Sequence, residues 1–409
     1  MLEASFRHMP SVLRIHDTLR GKAMPFETVE KGRVKMLVCG PTVQNYMHVG
    51  HARTGIFFDT VSRYLTSLGY RVTFLMNMTD IDESIARGAE AEKVSPEAYA
   101  DKFAKAFVQD AAKLGIRSVT KYPRISHYVP RMIEEIQDLI NSGHAYVVDH
   151  DVYFDSTTFP HFGKLSHMTS EELTLRPVDI TAKKRHLADF ALWRRSTTSI
   201  QRWDSPWGVG LPGWHIQDIG VSLSELGPQH DIHGGARELI YPHHESLIAV
   251  AESLTGKDPY VRFWMHTGLL TISKKKMSKS EGNMVTVREA LSRFGPSQLR
   301  LYFLRSHYSD DMEYDESLLE RVDEEFWQLK ETAKKARERA PRTSGHGGSD
   351  PTLRPFVDAM NDDFNTPEAI AQLSKLVHQA ASESDSVRLG SLCTSIARAS
   401  SILGVSIFG

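Results

Sequence analysis

The chain has 409 residues, enough for two or three domains around a large apolar core. Its 49 basic and 51 acidic side chains leave a formal net charge of -2, so no global field draws it to nucleic acid, although a local basic surface is compatible with that balance. Two cysteines without framework spacing, no apolar run of membrane-spanning length and no signal-peptide order at the N-terminus exclude a disulfide scaffold, a membrane span and a secreted precursor. A soluble, cytoplasmic protein is expected.

Residues 12–25 and 26–37 alternate apolar and polar positions around Gly21 and Gly32, which predicts short strands joined by a turn. Met36, Leu37 and Val38 read as the buried end of a strand that breaks at Cys39, Gly40 and Pro41. His48 and His51 then bracket Gly50 ahead of Ile56, Phe57, Val61, Tyr64 and Leu65, which recur at helical spacing. A strand, a glycine turn and a helix start make a phosphate site, because the first N–H groups of a helix lack partners and carry the positive end of its dipole. The two imidazoles lie three residues apart on one helical face and can reach the same phosphate chain. HVGH alone is equally compatible with a cap-region donor and a core histidine. The run RVTFLMNMTDI at 71–81 predicts the next strand, hence a βαβ unit with a parallel sheet. Asp80, Asp82 and Glu83 after it read as helix caps and are assigned no chemistry.

Residues 95–114 and 128–142 are predicted helices, the first opened by Pro96 and the second closed by Gly143. Residues 144–155 read as a hairpin turning at Asp149, His150 and Asp151, and the chain then reads as irregular and polar through Arg195. SPWGVGLPGW at 205–214 is too rich in Gly and Pro for regular structure and is expected to carry Trp214 and His215 to a pocket rim. In DIHGGARELIYPHHE at 231–245, Gly234 and Gly235 beside His233 suit a backbone lying flat against an adenine or ribose, or a simple turn. A strand is expected over 262–270. The basic, Ser-rich segment SKKKMSKSEGN at 273–283 suits a loop that closes over a triphosphate and stabilises departing pyrophosphate, though a lysine run is more often a solvated face. Residues 287–308 are expected to alternate helix and strand. Residues 316–339 form an amphipathic helix with Leu318, Leu319, Val322, Phe326 and Leu329 on one side, 342–350 read as a linker, and helices broken at Asn365, Pro367 and 382–386 complete a bundle.

HVGH near the N-terminus followed far downstream by KMSKS at 276–280 resembles the paired ATP motifs of class I aminoacyl-tRNA synthetases. With CGPTVQNYMHVGHART, NMTDIDESI, PGWHIQD, DIHGGARELIYPHHE and DDFNTPEA in register, the whole chain is similar to cysteinyl-tRNA synthetases, particularly the archaeal type. It also resembles the sister cysteine ligases of mycothiol biosynthesis, which couple cysteine to an amino sugar. The resemblance implies an α/β fold: a Rossmann-type parallel sheet (1–125 and 210–262) with a connective insertion (126–209), a KMSKS loop and stem-contact region (263–315), and an all-α helical bundle (316–409). It implies activation of L-cysteine with ATP and magnesium and transfer to tRNA(Cys), by a protein expected to be monomeric.

The resemblance also assigns residues. His48, His51, Lys276 and Lys279 are expected to act on the phosphates. ATP contacts are expected at Gly50, His51, His233, Gly234, Gly235, Lys276, Met277, Ser278, Lys279 and Ser280, and amino-acid contacts at Cys39, Gly40, Trp214 and His243. Similar bacterial enzymes read the substrate thiolate with a zinc held by two cysteines, a histidine and a glutamate, and those positions fall here at Cys39, Asp218, His243 and Leu247. Leu247 cannot ligate, so a three-ligand zinc site of Cys39, Asp218 and His243 with one open position is one reading and a metal-free polar pocket the other. Glu245, His244 and His215 are candidates to replace the missing ligand. The chain stops at Gly409, after the bundle, where many cysteinyl synthetases continue into an anticodon-reading domain. The basic run 330–342 remains available to dock tRNA. The alternatives are a ligase using cysteine or another small amino acid on a small-molecule amine, and a non-catalytic RNA-binding relative.

Overall fold

The computed structural model describes residues 12–408 apart from 177, 179–180, 182, 197–200, 273–274, 277–283 and 342–350. β1 (Arg14–Asp17) and β2 (Lys22–Pro25) pair as an antiparallel hairpin. β3 (Arg33–Val38), α1 (Val49–Ser67) and β4 (Arg71–Met76) form the expected βαβ unit, the two strands running parallel with Val38 opposite Met76. α2 (Glu83–Glu92) is capped by Asp82, which accepts from the Ser84 N–H, and α3 (Pro96–Lys113) by Ser95 with proline in its first turn. Asp80 instead accepts from Arg124 and Ser126, tying the strand end to the entry of the insertion.

The insertion begins with α4 (Val129–Asn141) and contains an antiparallel sheet of β5 (Ala145–Val148), β6 (Asp151–Phe154), β7 (Phe190–Arg195) and β8 (Gly210–Pro212), in that order, with α5 (Ser170–Leu175) between β6 and β7. Two of these strands correct the sequence reading. β7 is expected to be irregular from the sequence, but its first four residues are buried, and Phe190, Ala191 and Trp193 pair with β6 across a register shift. β8 was expected to be loop. Its glycine and proline are tolerated because it is an edge strand: Pro212 ends the ladder opposite Trp193, and a Cβ on Gly210 would stand 2.3 Å from the Arg194 carbonyl oxygen.

The chain returns to the central sheet through α6 (Trp214–Glu225), β9 (His230–Ala236), α7 (Glu245–Thr255) and β10 (Val261–Thr267). The sheet order is β10-β9-β3-β4, and every pair is parallel. His233, Gly234 and Gly235 therefore lie inside a central strand buried on both faces, not in a turn. Gly234 packs under α1, where an added Cβ would meet the Phe58 ring at 2.2 Å. Gly234→Ala is expected to lower stability by about 1–3 kcal/mol through overpacking, read as a fall in the thermal unfolding midpoint.

β11 (Leu270–Ile272), β12 (Lys275–Lys276) and β13 (Met312–Glu313) form a small sheet flanking α8 (Val287–Arg293) and α9 (Pro296–Leu304). The helix–strand alternation expected over 287–308 is thus two helices. All but the first residue of α9 are buried, so apolar period could not separate helix from strand there. α10 (Glu316–Arg339), α11 (Arg354–Asn361), α12 (Thr366–Ser382) and α13 (Ser386–Leu403) make the bundle, and the linker expected at 342–350 lies outside the described residues. The DDFNTPEA segment seats it. Asp363 Oδ1 accepts from the His16 N–H at 2.7 Å and the Tyr308 hydroxyl at 3.0 Å, while fully buried Phe364 packs edge-on against Phe57 and Tyr64 of α1.

Candidate active site

β3 ends against α1 in a turn that admits only glycine at position 40. The Gly40 N–H donates to Asn77 Oδ1 at 3.0 Å, and a Cβ there would fall 1.8 Å from the Asn77 carbonyl oxygen. The turn opens a cavity of about 360 Å³ whose lining includes Cys39, Gly40, His48, Gly50, His51 and Trp214.

His48 is the N-cap of α1. Its Nδ1 accepts from the backbone N–H of Gly50 at 3.1 Å and of His51 at 3.3 Å. This fixes its tautomer: with Nδ1 an acceptor, the neutral ring carries its proton on Nε2. Burial holds the His48 value down at about 4, against the small opposing pull of Glu238, so the ring is a neutral donor at pH 7. His51 stacks on it with centroids 3.6 Å apart, is held well below its ordinary value by burial and then by His48, and has a buried Nδ1 without a partner among the described residues. An orphaned polar atom on a cavity wall is a place for a ligand atom.

The segment carrying KMSKS is anchored to this helix start on both sides. Arg53 of α1 donates to the carbonyls of Gly268 at 2.9 Å and Leu269 at 2.8 Å, just before β11. On the far side the Val49 N–H donates to Val285 O at 3.0 Å and the Val287 N–H to Met47 O at 2.8 Å. Lys276 lies in β12 opposite Thr271, and Met277, Ser278, Lys279 and Ser280 lie outside the described residues. Sequence reasoning missed Arg53; its place in HVGHART, one turn into the helix, was the available signal.

At the other end of the cavity Cys39 Sγ lies 3.1 Å from Asp218 Oδ2, 3.1 Å from His244 Nε2 and 3.5 Å from His233 Nε2. Asp218 Oδ2 also meets His243 Nε2 at 3.1 Å, while its Oδ1 accepts from Asn77 Nδ2 at 2.6 Å. Burial first, and then the Asp218 carboxylate, push the Cys39 thiol well above its ordinary value. The expected trio Cys39, Asp218 and His243 is therefore brought together, and two histidines join it. One donor atom each of Cys39, His243 and His244 lie within 4.8 Å of one another, as do those of Cys39, Asp218 and His233. A sulfur with imidazole nitrogens at this spacing fits a zinc ion.

The other replacement candidates are occupied elsewhere. Glu245 faces the insertion, accepting from the backbone N–H groups of Gly163, Leu165 and Ser166 at 2.9, 3.0 and 2.8 Å. His215 Nδ1 meets His243 Nδ1 at 3.0 Å, behind the cluster. Leu247 is fully buried in the apolar core with Trp193 and Trp264. Trp214 is 49% exposed and stacks on His243 with centroids 4.4 Å apart, so it walls the cavity above the cluster. His233, Gly234 and Gly235, expected against the nucleotide, do not line the cavity; the same segment reaches it at Ala236, Glu238 and Leu239.

Residues 25–324 match the tRNA synthetases class I (C) catalytic domain, and residues 355–407 match the DALR domain. The cysteine–tRNA ligase of Moorella thermoacetica is 40% identical over 89% of this chain and 80% of its own length, and that of Dehalococcoides mccartyi strain BAV1 is 42% identical over the same shares. The chain belongs to the cysteine–tRNA ligase family. Among solved structures, Mycobacterium tuberculosis methionyl-tRNA synthetase with methionyl-adenylate superposes with a TM-score of 0.65 at 17% identity, over 91% of this chain and 89% of that one. The LeuRS of Agrobacterium radiobacter K84 in a ternary complex with tRNA and LeuAMS gives 0.67 at 11%, over 93% and 85%. At those identities the likeness concerns the fold, a class I synthetase sheet with a helical C-terminal domain. No helix among the described residues is long and apolar enough to cross a membrane.

Proposed function

We propose that the cavity joining the N-terminus of α1 to the Cys39 cluster is where this cysteine–tRNA ligase forms cysteinyl-adenylate, before the cysteinyl group passes to tRNA(Cys). One observation carries the reading: a helix start with a neutral histidine donor and the Cys39 thiol, backed by buried imidazoles, line the same 360 Å³ space. The first suits a triphosphate and the second a thiol.

Adenylation needs no nucleophile from the protein. The cysteine carboxylate attacks the α-phosphate and pyrophosphate leaves, while the site positions the pair and stabilises charge; magnesium bound with ATP would share that charge. His48 Nε2–H and His51 donate to the phosphates, the Gly50 backbone lets them approach, and Lys276 and Lys279 cover the leaving group. Cys39, Gly40, Trp214 and His243 surround the amino acid. A zinc ion on Cys39, Asp218 and His243 would supply an electrophile that distinguishes a thiolate from a hydroxyl. Asn77 holds the Asp218 carboxylate against both Cys39 and His243. The exposed Lys334, Lys335 and Arg337 on α10 offer a basic face for the tRNA backbone. Both thiols, Cys39 and Cys393, are unpaired, in keeping with a reducing cytoplasm.

The test is ATP–pyrophosphate exchange against a panel of amino acids on metal-analysed protein, followed by transfer to tRNA(Cys). Exchange with cysteine alone is expected; exchange with a different amino acid instead would overturn the substrate assignment. Trp214→Ala is expected to raise KM for cysteine by roughly tenfold with a smaller change in kcat, since it removes a stacked wall worth about 1.4 kcal/mol at most.

A further inference from the structure

Cys39 is flanked by two relays of neutral imidazoles, and they end differently. On one side His244 Nδ1 lies 2.7 Å from His266 Nε2, and His266 Nδ1 lies 2.7 Å from Thr18 Oγ1. On the other, His233 Nδ1 lies 3.1 Å from His230 Nε2, and His230 Nδ1 is buried with no partner among the described residues. Each neutral ring carries a single proton, so the far end of each relay decides which way its protons point. A buried N–H without an acceptor costs more than an unused lone pair, so His230 keeps its proton on Nε2 and donates it to His233. His233 must then carry its own proton on Nε2, facing the sulfur. The Thr18 hydroxyl can accept as well as donate, so the first relay is not held to one order, and a metal beside Cys39 is served by the outward one: His244 Nδ1–H to His266 Nε2, and His266 Nδ1–H to Thr18 Oγ1. That leaves a lone pair on His244 Nε2, 3.1 Å from Cys39 Sγ.

We propose that His244 is a metal ligand beside Cys39 and His243, with His266 and Thr18 as positioning residues that turn its Nε2 lone pair inward, while His233 is a hydrogen-bond donor to the sulfur. This rests on the proposal that the cluster binds a metal. The sequence left His244 as one of three candidates for the missing ligand, and its 3.1 Å approach to Cys39 Sγ singles it out. His266 and Thr18 lie 22 residues after and 226 residues before it, so the relay exists only in the folded chain.

Cobalt(II) titration of the metal-stripped full-length protein tests it, with absorption spectra as the readout. The wild-type chain is expected to bind one cobalt with a thiolate charge-transfer band and tetrahedral d–d bands. His244→Ala is expected to weaken binding by more than about 100-fold and to alter the d–d bands, and His266→Ala to weaken it by about 10–100-fold, the range for outer-shell partners. Thr18→Val removes only the acceptor hydroxyl, since the Thr18 N–H still donates to Trp264 O at 2.9 Å, and should weaken cobalt binding; Thr18→Ser should restore it. Unchanged affinity and spectrum in folded His244→Ala would overturn the ligand assignment. Should that variant not fold, equal affinities of Thr18→Val and wild type would overturn the relay. A wild-type protein that takes up no cobalt removes both this inference and the metal site. Cobalt binding through His244 without cysteine-dependent exchange leaves the inference standing and overturns the catalytic reading.

Discussion

Replacing His48 with alanine is expected to lower cysteine-dependent ATP–pyrophosphate exchange by about 10²–10³-fold, with KM for cysteine little changed. The residue does two things with one ring. Its Nδ1 caps two N–H groups of α1, and that bond forces the proton onto Nε2, where the side chain meets the cavity. His48→Asn separates the roles: asparagine is a good N-cap, so stability is kept, whereas the alanine variant also loses about 1 kcal/mol. Turnover of the asparagine variant within threefold of wild type would show that the Nε2 donor is not used. The pH sign follows from the same ring. Its folded value of about 4 lies below the unfolded one, so the unfolded chain takes up the proton first. The contribution of His48 to stability is therefore full above pH 6.5 and is lost as pH falls from there through about 4.

Removing the charge of Asp59 is expected to destabilise the chain by about 3–5 kcal/mol, read as a fall in the thermal unfolding midpoint of Asp59→Asn. Asp59 lies on α1 and Arg300 on α9; both are fully buried, with Arg300 Nη2 2.8 Å from Asp59 Oδ2. Asp59 also takes Arg63 Nε at 2.6 Å and the N–H groups of Arg117 and Ser118 at 2.9 and 3.0 Å. Burial alone would raise its carboxyl; Arg300 and Arg63 more than offset this, and it is held below its ordinary value. Arg300 Nε donates onward to Leu403 O at 2.8 Å and Arg63 to Ser401 O at 3.2 Å. Guanidinium groups thus sit at the carbonyl end of α13, where the helix dipole favours positive charge. This network joins the helix that begins with HVGH to the last helix of the bundle, and the asparagine variant would leave the buried Arg300 and the half-buried Arg63 without their counter-charge. Replacing both partners, Asp59→Leu with Arg300→Met, should recover much of the loss. Should Asp59→Asn melt within a degree of wild type, the pair contributes no more than a surface ion pair does.

Local pattern carried much of the fold. The βαβ unit, the caps at Asp82 and Ser95, the hairpin at 145–154 and the long helix α10 each follow from spacing within a dozen residues, because side-chain period and capping are properties of a single segment. β7 and β8 escaped because an edge strand accepts glycine and proline once a neighbour supplies the ladder, and the neighbour is remote in sequence. α9 escaped because it is buried on all sides and has no apolar period to read.

The site divides in the same way. His48 could be placed from the sequence because its setting is local: a strand end, a glycine turn and a helix start fall within residues 33–51. The surroundings of Cys39 could be placed only in part: the resemblance put Asp218 and His243 beside it and did not single out His233 or His244. Asp218, His233, His243 and His244 arrive on α6, β9 and the turn into α7, and Thr18 and His266 stand behind them on separate segments. From residues 33–51 alone came a strand end, a glycine turn and a capped helix start with Cys39 beside them. Which histidines face that cysteine follows only from the folded chain. Hydrogen-bond direction in a buried cluster depends on every partner at once, and those partners lie up to 248 residues apart.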